Sequence, residues 1–250
     1  MSTAFKDHFS HLAAQYASFR PHYPPALFDY LARLSSSRRV AWDCACGSGQ
    51  ASGSLAEHFE SVIATDASAQ QIAAAPSHPH VIYKVAPAEA SGIDEASVDL
   101  VAVAQGLHWF NLDAFYHEVD RVLIQGGVLA AWTYGVLKCE DSHVDRLVQA
   151  FYQMLDPYWP PERKLVESGY RTLRFPFVEE SPPSFEMTER WSLPQLLGYL
   201  RSWSAVGRYV GKHGTDPVEA LGEQLAEVWE EPNTLQLTTW PLAMRVGRKS

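Results

Sequence analysis

The sequence predicts a doubly wound α/β fold. Three observations carry that prediction. Short β-rich runs alternate with helix-compatible stretches between residues 40 and 134, several of the runs are nearly all apolar, and the first leads straight into a glycine-rich turn. A strand covered by helices on both faces needs no polar side, so continuous apolar runs point to a parallel sheet.

The elements follow in order. Phe5, Phe9, Leu12, Tyr16 and Phe19 recur at helical spacing and predict an amphipathic helix with one aromatic face, which Pro21 ends near Arg20. After the turn PHYPP, ALFDYLARL reads as a second short helix and SSSRR as a polar connector. Strands are expected at VAWDC, VIATD (62–66), VIYKV (81–85), VDLVAV (98–103) and GVLAAWTY (127–134). The helices between them are ASGSLAEHF, SAQQIAAA and NLDAFYHEVDRVL. Beyond Tyr134 the rhythm changes to a helix (SHVDRLVQAFYQML), a Pro- and aromatic-rich segment (DPYWPP) and a strand around FEMTERW. Helices around LPQLLGYLRSW and DPVEALGEQLAEVW follow, then a closing strand in LQLTTWPLAMRVGR. Residues 138–184 lack linker composition and read as a cap on the same domain.

Composition narrows the function. With 46% hydrophobic and 20% charged residues over 250 positions, a disordered, collagen-like or coiled-coil chain is a poor reading. The net charge of −9 argues against a nucleic-acid partner and for a small molecule. Three cysteines give no secreted disulfide framework, and neither an export signal nor a run of about 18 apolar residues occurs, so cytoplasmic residence without a membrane span is expected. Eight Trp, 11 Tyr and 11 Phe are enough to line both a core and a pocket for apolar or cationic guests.

The chemistry lies in VAWDCACGSGQASG. Gly47 and Gly49 let the backbone approach a ligand, and the next helix offers free N–H groups to an anionic group. Asp66 ends the second strand, where an acid can accept hydrogen bonds from both ribose hydroxyls. A dinucleotide site would show G-x-G-x-x-G, whereas Gly47, Gly49 and Gly53 are spaced G-x-G-x-x-x-G. Asp43 beside a pyrophosphate would also be repulsive. A ligand with an amino-acid end suits the constellation better: Asp43 meets the ammonium, directly or through water, while loop amides take the carboxylate.

At these residues the sequence resembles the class I S-adenosylmethionine-dependent methyltransferases of the type 11-like kind. DCACGSGQ is similar to their first motif, with Ala45 where the first glycine is usual, a residue that fits if its φ is negative. TDASAQQIAAA, VAPAEA and VDLVAVAQGLHWFN continue the likeness. AQGLHWF with the early FRPHYP most resembles the trans-aconitate methyltransferase-like subgroup. The resemblance covers roughly residues 5–134 and implies a Rossmann-like, mostly parallel seven-stranded sheet in a single domain. Residues 1–37 would form a helical lid, 38–137 the cofactor core, 138–184 a helical cap insert and 185–250 the completion of the sheet.

The resemblance also implies S-adenosylmethionine as cofactor. Asp43, Gly47 and Gly49 would hold its methionine end and Asp66 the ribose. Ala67, Gln71, Ala88 and Glu89 would border the adenine, with Pro87 where many relatives carry an acid. Tyr16, Arg20 and Tyr23 would belong to the lid, near the carboxylate and sulfonium.

Gln105, His108 and Trp109 follow the fourth strand, where an open sheet places its ligand crevice. Gln105 and His108 are the candidate catalytic residues and Trp109 the candidate acceptor contact. Methyl transfer is an in-line displacement in which a base is optional, so His108 either takes a proton from a hydroxyl or orients a carboxylate by hydrogen bonding. Cys44 and Cys46 have no second ligand pair nearby, and no metal site is expected. Lys138, Arg163, Lys164, Arg171, Arg174, Arg190, Arg201 and Arg208 read as snorkelling surface residues of the cap and C-terminal region, the alternative being that some of them converge on an acidic substrate. The expected function is methyl transfer to an oxygen of a small molecule, with a carboxylate as one candidate acceptor. An NAD(P)-dependent oxidoreductase and a non-catalytic S-adenosylmethionine-binding protein are the alternatives.

Overall fold

The computed structural model describes residues 21–250. The aromatic-faced helix expected before Pro21, with Tyr16 and Arg20, falls outside the described residues. The chain then runs α1 (Pro25–Leu34), β1 (Val40–Cys44), α2 (Ser52–Ala56), β2 (Ser61–Asp66), α3 (Ala69–Ala74), β3 (Val81–Val85), β4 (Val98–Ala104), α4 (Leu112–Val122) and β5 (Leu123–Tyr134). It continues with β6 (Lys138–Cys139), α5 (Ser142–Met154), α6 (Arg163–Glu167), β7 (Val178–Glu180), β8 (Phe185–Trp191), α7 (Leu193–Arg201), α8 (Ser204–His213), α9 (Pro217–Val228) and β9 (Gln236–Arg248).

The sheet runs β3-β2-β1-β4-β5-β9-β6, with β7 and β8 also paired to β9. β3, β2, β1, β4 and β5 are mutually parallel, while β9 is antiparallel to every neighbour. From β1 the chain winds outward to β2 and β3, then returns to place β4 on the opposite side. The carboxyl ends of β1 and β4 therefore flank the crevice of an open α/β sheet. The seven expected strands are all present. The two additional ones, β6 and β7, span two and three residues, too few to register as β-rich runs.

Strand periodicity divides the core. Ala41, Leu100, Ala102, Val128, Ala130 and Trp132 face one layer, which contains α1 through Leu27, Phe28 and Leu31. Trp42, Cys44, Val101, Val103, Leu129 and Ala131 face the other, against Phe115, Val119 and Val122 of α4. α9 packs against both α5 and α7, so residues after 184 join those of 142–154 in one helical layer. The sequence reading passed over α8, whose interior Gly207 and Gly211 weaken its helical signature.

Two buried acids fasten loops to the sheet. Asp99 accepts the N–H groups of Arg39 and Val40 at 2.9 and 2.8 Å, setting the start of β1. Glu118 on α4 accepts the Ser91 N–H and hydroxyl and the Arg121 guanidinium, which also donates to the Ile93 carbonyl. That cluster holds the loop after Ala88 against α4. The Arg121 hydrogen bonds pull the Glu118 carboxyl down to about 2, more than burial raises it.

Candidate functional site

The turn after β1 is wound in the left-handed region. Gly47 and Gly49 have φ of 56° and 86°, and their amides donate to Asp66 and to the Cys46 carbonyl, both at 2.9 Å. Ala45 has φ of 55°, so the negative φ expected for it is not what the fold adopts. The strain, on the order of 1–2 kcal/mol, is imposed by the ladder: the next residue, Cys46, donates its N–H to the Thr65 carbonyl at 2.9 Å and holds the turn against β2. Gly106, in the turn after β4, has no Cβ because one there would stand 3.0 Å from that of Ala45. Tyr83 of β3 reaches over the turn, and its hydroxyl occupies the space a Cβ on Gly49 would take.

Asp43 is wholly buried behind this turn. Its Oδ2 accepts the Ser52 hydroxyl at 2.6 Å, and Oδ1 has no partner among the described residues. Burial, reinforced by the Asp66 charge and opposed by the Ser52 hydrogen bond, lifts its carboxyl to about 7. An unpartnered buried acceptor is costly unless something else donates to it. Asp66, at the tip of β2, accepts the Gly47 N–H at 2.9 Å and the Ser68 N–H at 2.8 Å, which fixes the carboxylate beside the turn. Gln71 of α3 turns its side-chain carbonyl toward Gly47, and Ala67 is exposed at the mouth. Ala88 is buried. Glu89 accepts the Asn111 N–H at 2.8 Å, a bond that ties this loop to the start of α4.

The turn after β4 forms the facing wall. Gln105 has φ of 59°, donates its N–H to the Trp132 carbonyl at 2.9 Å, and accepts the Thr133 hydroxyl at its side-chain oxygen. A 3-10 turn, Leu107–Trp109, then carries His108, whose Nδ1 lies 2.9 Å from the Tyr170 hydroxyl. Tyr170 is buried with φ of 61°, and the Thr133 side chain partly offsets the rise that burial gives its phenol. Gln105, Thr133, Tyr170 and His108 thus form one chain across the ends of β4 and β5. Burial first, and Arg163 second, depress His108 to about 3, so the ring is neutral at physiological pH. Trp109 packs on it with centroids 4.5 Å apart and keeps 38% exposure.

Other candidates fall elsewhere. Tyr23 is buried edge-on against Trp132, 5.6 Å between centroids, and near Phe28 and Tyr134, so its ring belongs to the core under the crevice. Burial pushes the Cys44 and Cys46 thiols up, and no cluster of three or more metal-ligating side chains occurs among the described residues. Nor is any described helix long and apolar enough to cross a membrane.

Sequence reasoning missed Ser52, Tyr83, Thr133 and Tyr170. Ser52 and Thr133 are commonplace residues in a helix and a strand, and Tyr170 is 62 positions from His108, a separation no spacing rule reaches. Arg163, read as a surface cation, is also misplaced by that reading. Its side chain is only 19% exposed, over the rings of Trp159 (4.9 Å) and Tyr152 (5.5 Å).

Comparison with known proteins agrees with this geometry. Residues 42–131, the stretch from β1 to β5 that holds both turns, match the family described as a methyltransferase domain. A protein of Dictyostelium discoideum named as a methyltransferase is 32% identical over 232 residues, 91% of this chain and 88% of its own length. A solved structure from Anaeromyxobacter dehalogenans, named a type II methyltransferase, superposes with a TM-score of 0.87 at 48% identity, covering 92% of this chain and 98% of that one. The fold is also shared, at 16% identity and a TM-score of 0.51, by the [4+2]-cyclase SpnF, covering 96% of this chain and 93% of that one.

Proposed function

The chain belongs to the class I S-adenosylmethionine-dependent methyltransferases, and from that premise we propose that it methylates an oxygen of a small molecule, with His108 orienting the acceptor. S-adenosylmethionine supplies an electrophilic methyl group on a sulfonium. The observation that carries the cofactor reading is the orphaned Oδ1 of Asp43 behind the left-handed turn: a buried acceptor with one valence open suits an ammonium. The residues present fit the cofactor. Asp43 with the Gly47 and Gly49 turn would hold the amino-acid end, Asp66 the ribose, and Ala67, Gln71 and the Ala88 amide the adenine. Glu89 is already committed to Asn111, so a structural role suits it better.

The facing wall supports an orienting role for His108 over that of a base. A ring whose conjugate acid sits near 3 is a weak proton acceptor, yet its neutral nitrogen makes a sound hydrogen bond. If Nδ1–H donates to Tyr170, Tyr170 to Thr133 and Thr133 to the Gln105 oxygen, every hydroxyl in the chain is used once and Nε2 stays free to accept from the substrate. Trp109, packed at a tilt against His108, would cover the acceptor and exclude water. Position and exclusion of solvent then supply most of the rate, as an in-line displacement permits.

Calorimetry with S-adenosylhomocysteine tests the cofactor site, and labelled-methyl transfer into a metabolite extract tests the reaction. Equal affinity in the wild type and Asp66→Ala would overturn the cofactor assignment. Retained affinity with no transfer to any acceptor would favour a binding protein instead.

A further inference from the structure

The charge of Arg163 acts on His108, Tyr170 and Tyr199, which puts it near the turn after β4. Arg163 opens α6, and the same short segment carries Val166 and Tyr170 into the core layer that backs the turn after β4. Its Nε donates to the Tyr152 hydroxyl at 2.9 Å, and the guanidinium lies over Tyr152 and Trp159. Tyr152 in turn donates to Glu167, whose carboxylate stands 3.8 Å from the Arg163 Nε. The polar contacts use the Nε edge alone. The two terminal nitrogens make no hydrogen bond among the described residues, although the side chain is mostly buried. The Trp159 indole N–H beside it is buried and likewise unpartnered. Uncommitted donors gathered in one place call for an acceptor.

Glu167 is the carboxylate paired with Arg163, on the Nε side and 44% exposed; His108 is neutral and Tyr152, Tyr170 and Tyr199 are held protonated by burial, so these four add no counter-charge at the terminal nitrogens. A flat fork of paired N–H groups in an aromatic setting matches a carboxylate, which it can meet with two parallel bonds.

We propose that Arg163 is a specificity-determining residue that anchors a carboxylate of the methyl acceptor through its two terminal nitrogens. Anchoring draws electron density from the bound group, so the oxygen that takes the methyl is a different one, near His108. The acceptor is then an anionic molecule with at least two oxygen functions. This rests on the methyltransferase reading above.

The experiment uses the full chain saturated with S-adenosylhomocysteine and follows tryptophan emission, because Trp159 touches Arg163. Benzoate, cinnamate and malonate are titrated beside their neutral amides. The expected result is a preference of about tenfold or more for at least one carboxylate over its amide. Arg163→Gln should abolish that preference and Arg163→Lys recover part of it, with unchanged affinity for S-adenosylhomocysteine in both as the check on folding. Equal binding of acid and amide by the wild type, no response to any of the acids at millimolar concentration, or an undiminished preference in Arg163→Gln overturns the proposal. Labelled-methyl transfer is read in parallel. Carboxylate preference without transfer to any acceptor would defeat the methyltransferase reading while leaving the anchor standing.

Discussion

The Tyr170 hydroxyl lies 2.9 Å from Nδ1 of His108, joining a buried phenol to a ring in the turn after β4. The bond fixes which ring nitrogen is left for a substrate. Removing it in Tyr170→Phe should lower kcat by about tenfold and leave the affinity for S-adenosylhomocysteine unchanged, since one hydrogen bond of roughly 1–1.5 kcal/mol is lost away from the cofactor turn. Steady-state kinetics with the identified acceptor check this, and a rise in cofactor Kd without a fall in kcat would contradict it.

Because His108 is depressed to about 3, kcat should show no ionisation near pH 6.5 that His108→Asn removes. A profile for the wild type that rises around pH 6–7 and becomes flat in that variant would make His108 a base after all.

Asp43 should exchange its proton for the ligand. In the free protein its carboxyl titrates at about 7, and an ammonium beside it favours the ionised form. Affinity for S-adenosylhomocysteine should therefore rise as pH increases from about 6 to 7.5, with proton release measurable by calorimetry in buffers of different ionisation enthalpy. Asp43→Asn should bind at least tenfold more weakly and release no proton in this range.

Ala45 carries strain that glycine would not. Ala45→Gly should stabilise the protein by about 0.5–1 kcal/mol, the relief of the left-handed conformation less the added freedom of the unfolded chain. Urea unfolding at neutral pH measures it, and a loss of stability would mean that the Ala45 methyl packs more favourably than its φ suggests.

Acid should weaken the fold in two stages. His108 is depressed from its ordinary 6.5 to about 3, so between those values the unfolded chain takes up a proton the folded chain refuses, and stability falls as pH drops from 6.5. Glu118, depressed from 4.5 to about 2 by its Arg121 and Ser91 bonds, adds a second loss below pH 4.5. His108→Asn should flatten the urea midpoint between pH 6.5 and 5, while Glu118→Gln should flatten it only below pH 4.5.

The parts of the site legible in the sequence are those built by neighbours in the chain. Asp43, Gly47 and Gly49 occupy one turn, and Asp66 is read from the end of the next strand, because parallel β1 and β2 bring their carboxyl ends together in register, Cys44 opposite Thr65. Glu89 shows what such reasoning leaves out: one of its carboxylate oxygens accepts a peptide N–H brought by α4.

What the sequence by itself determined is the alternation of short apolar strands and helices, hence the doubly wound sheet, and the glycine turn with its two acids. Both depend on local periodicity and on chemistry within a single βαβ unit. Only the tertiary structure decided the facing wall, where the acceptor is proposed to bind. Tyr170 and Arg163 arrive there from a segment beyond β5, and burial determines that Asp43 holds its proton to about 7, that His108 gives its own up above about 3, and that Arg163 keeps its terminal nitrogens uncommitted. Desolvation belongs to the packed assembly of the chain and cannot be read from residue order.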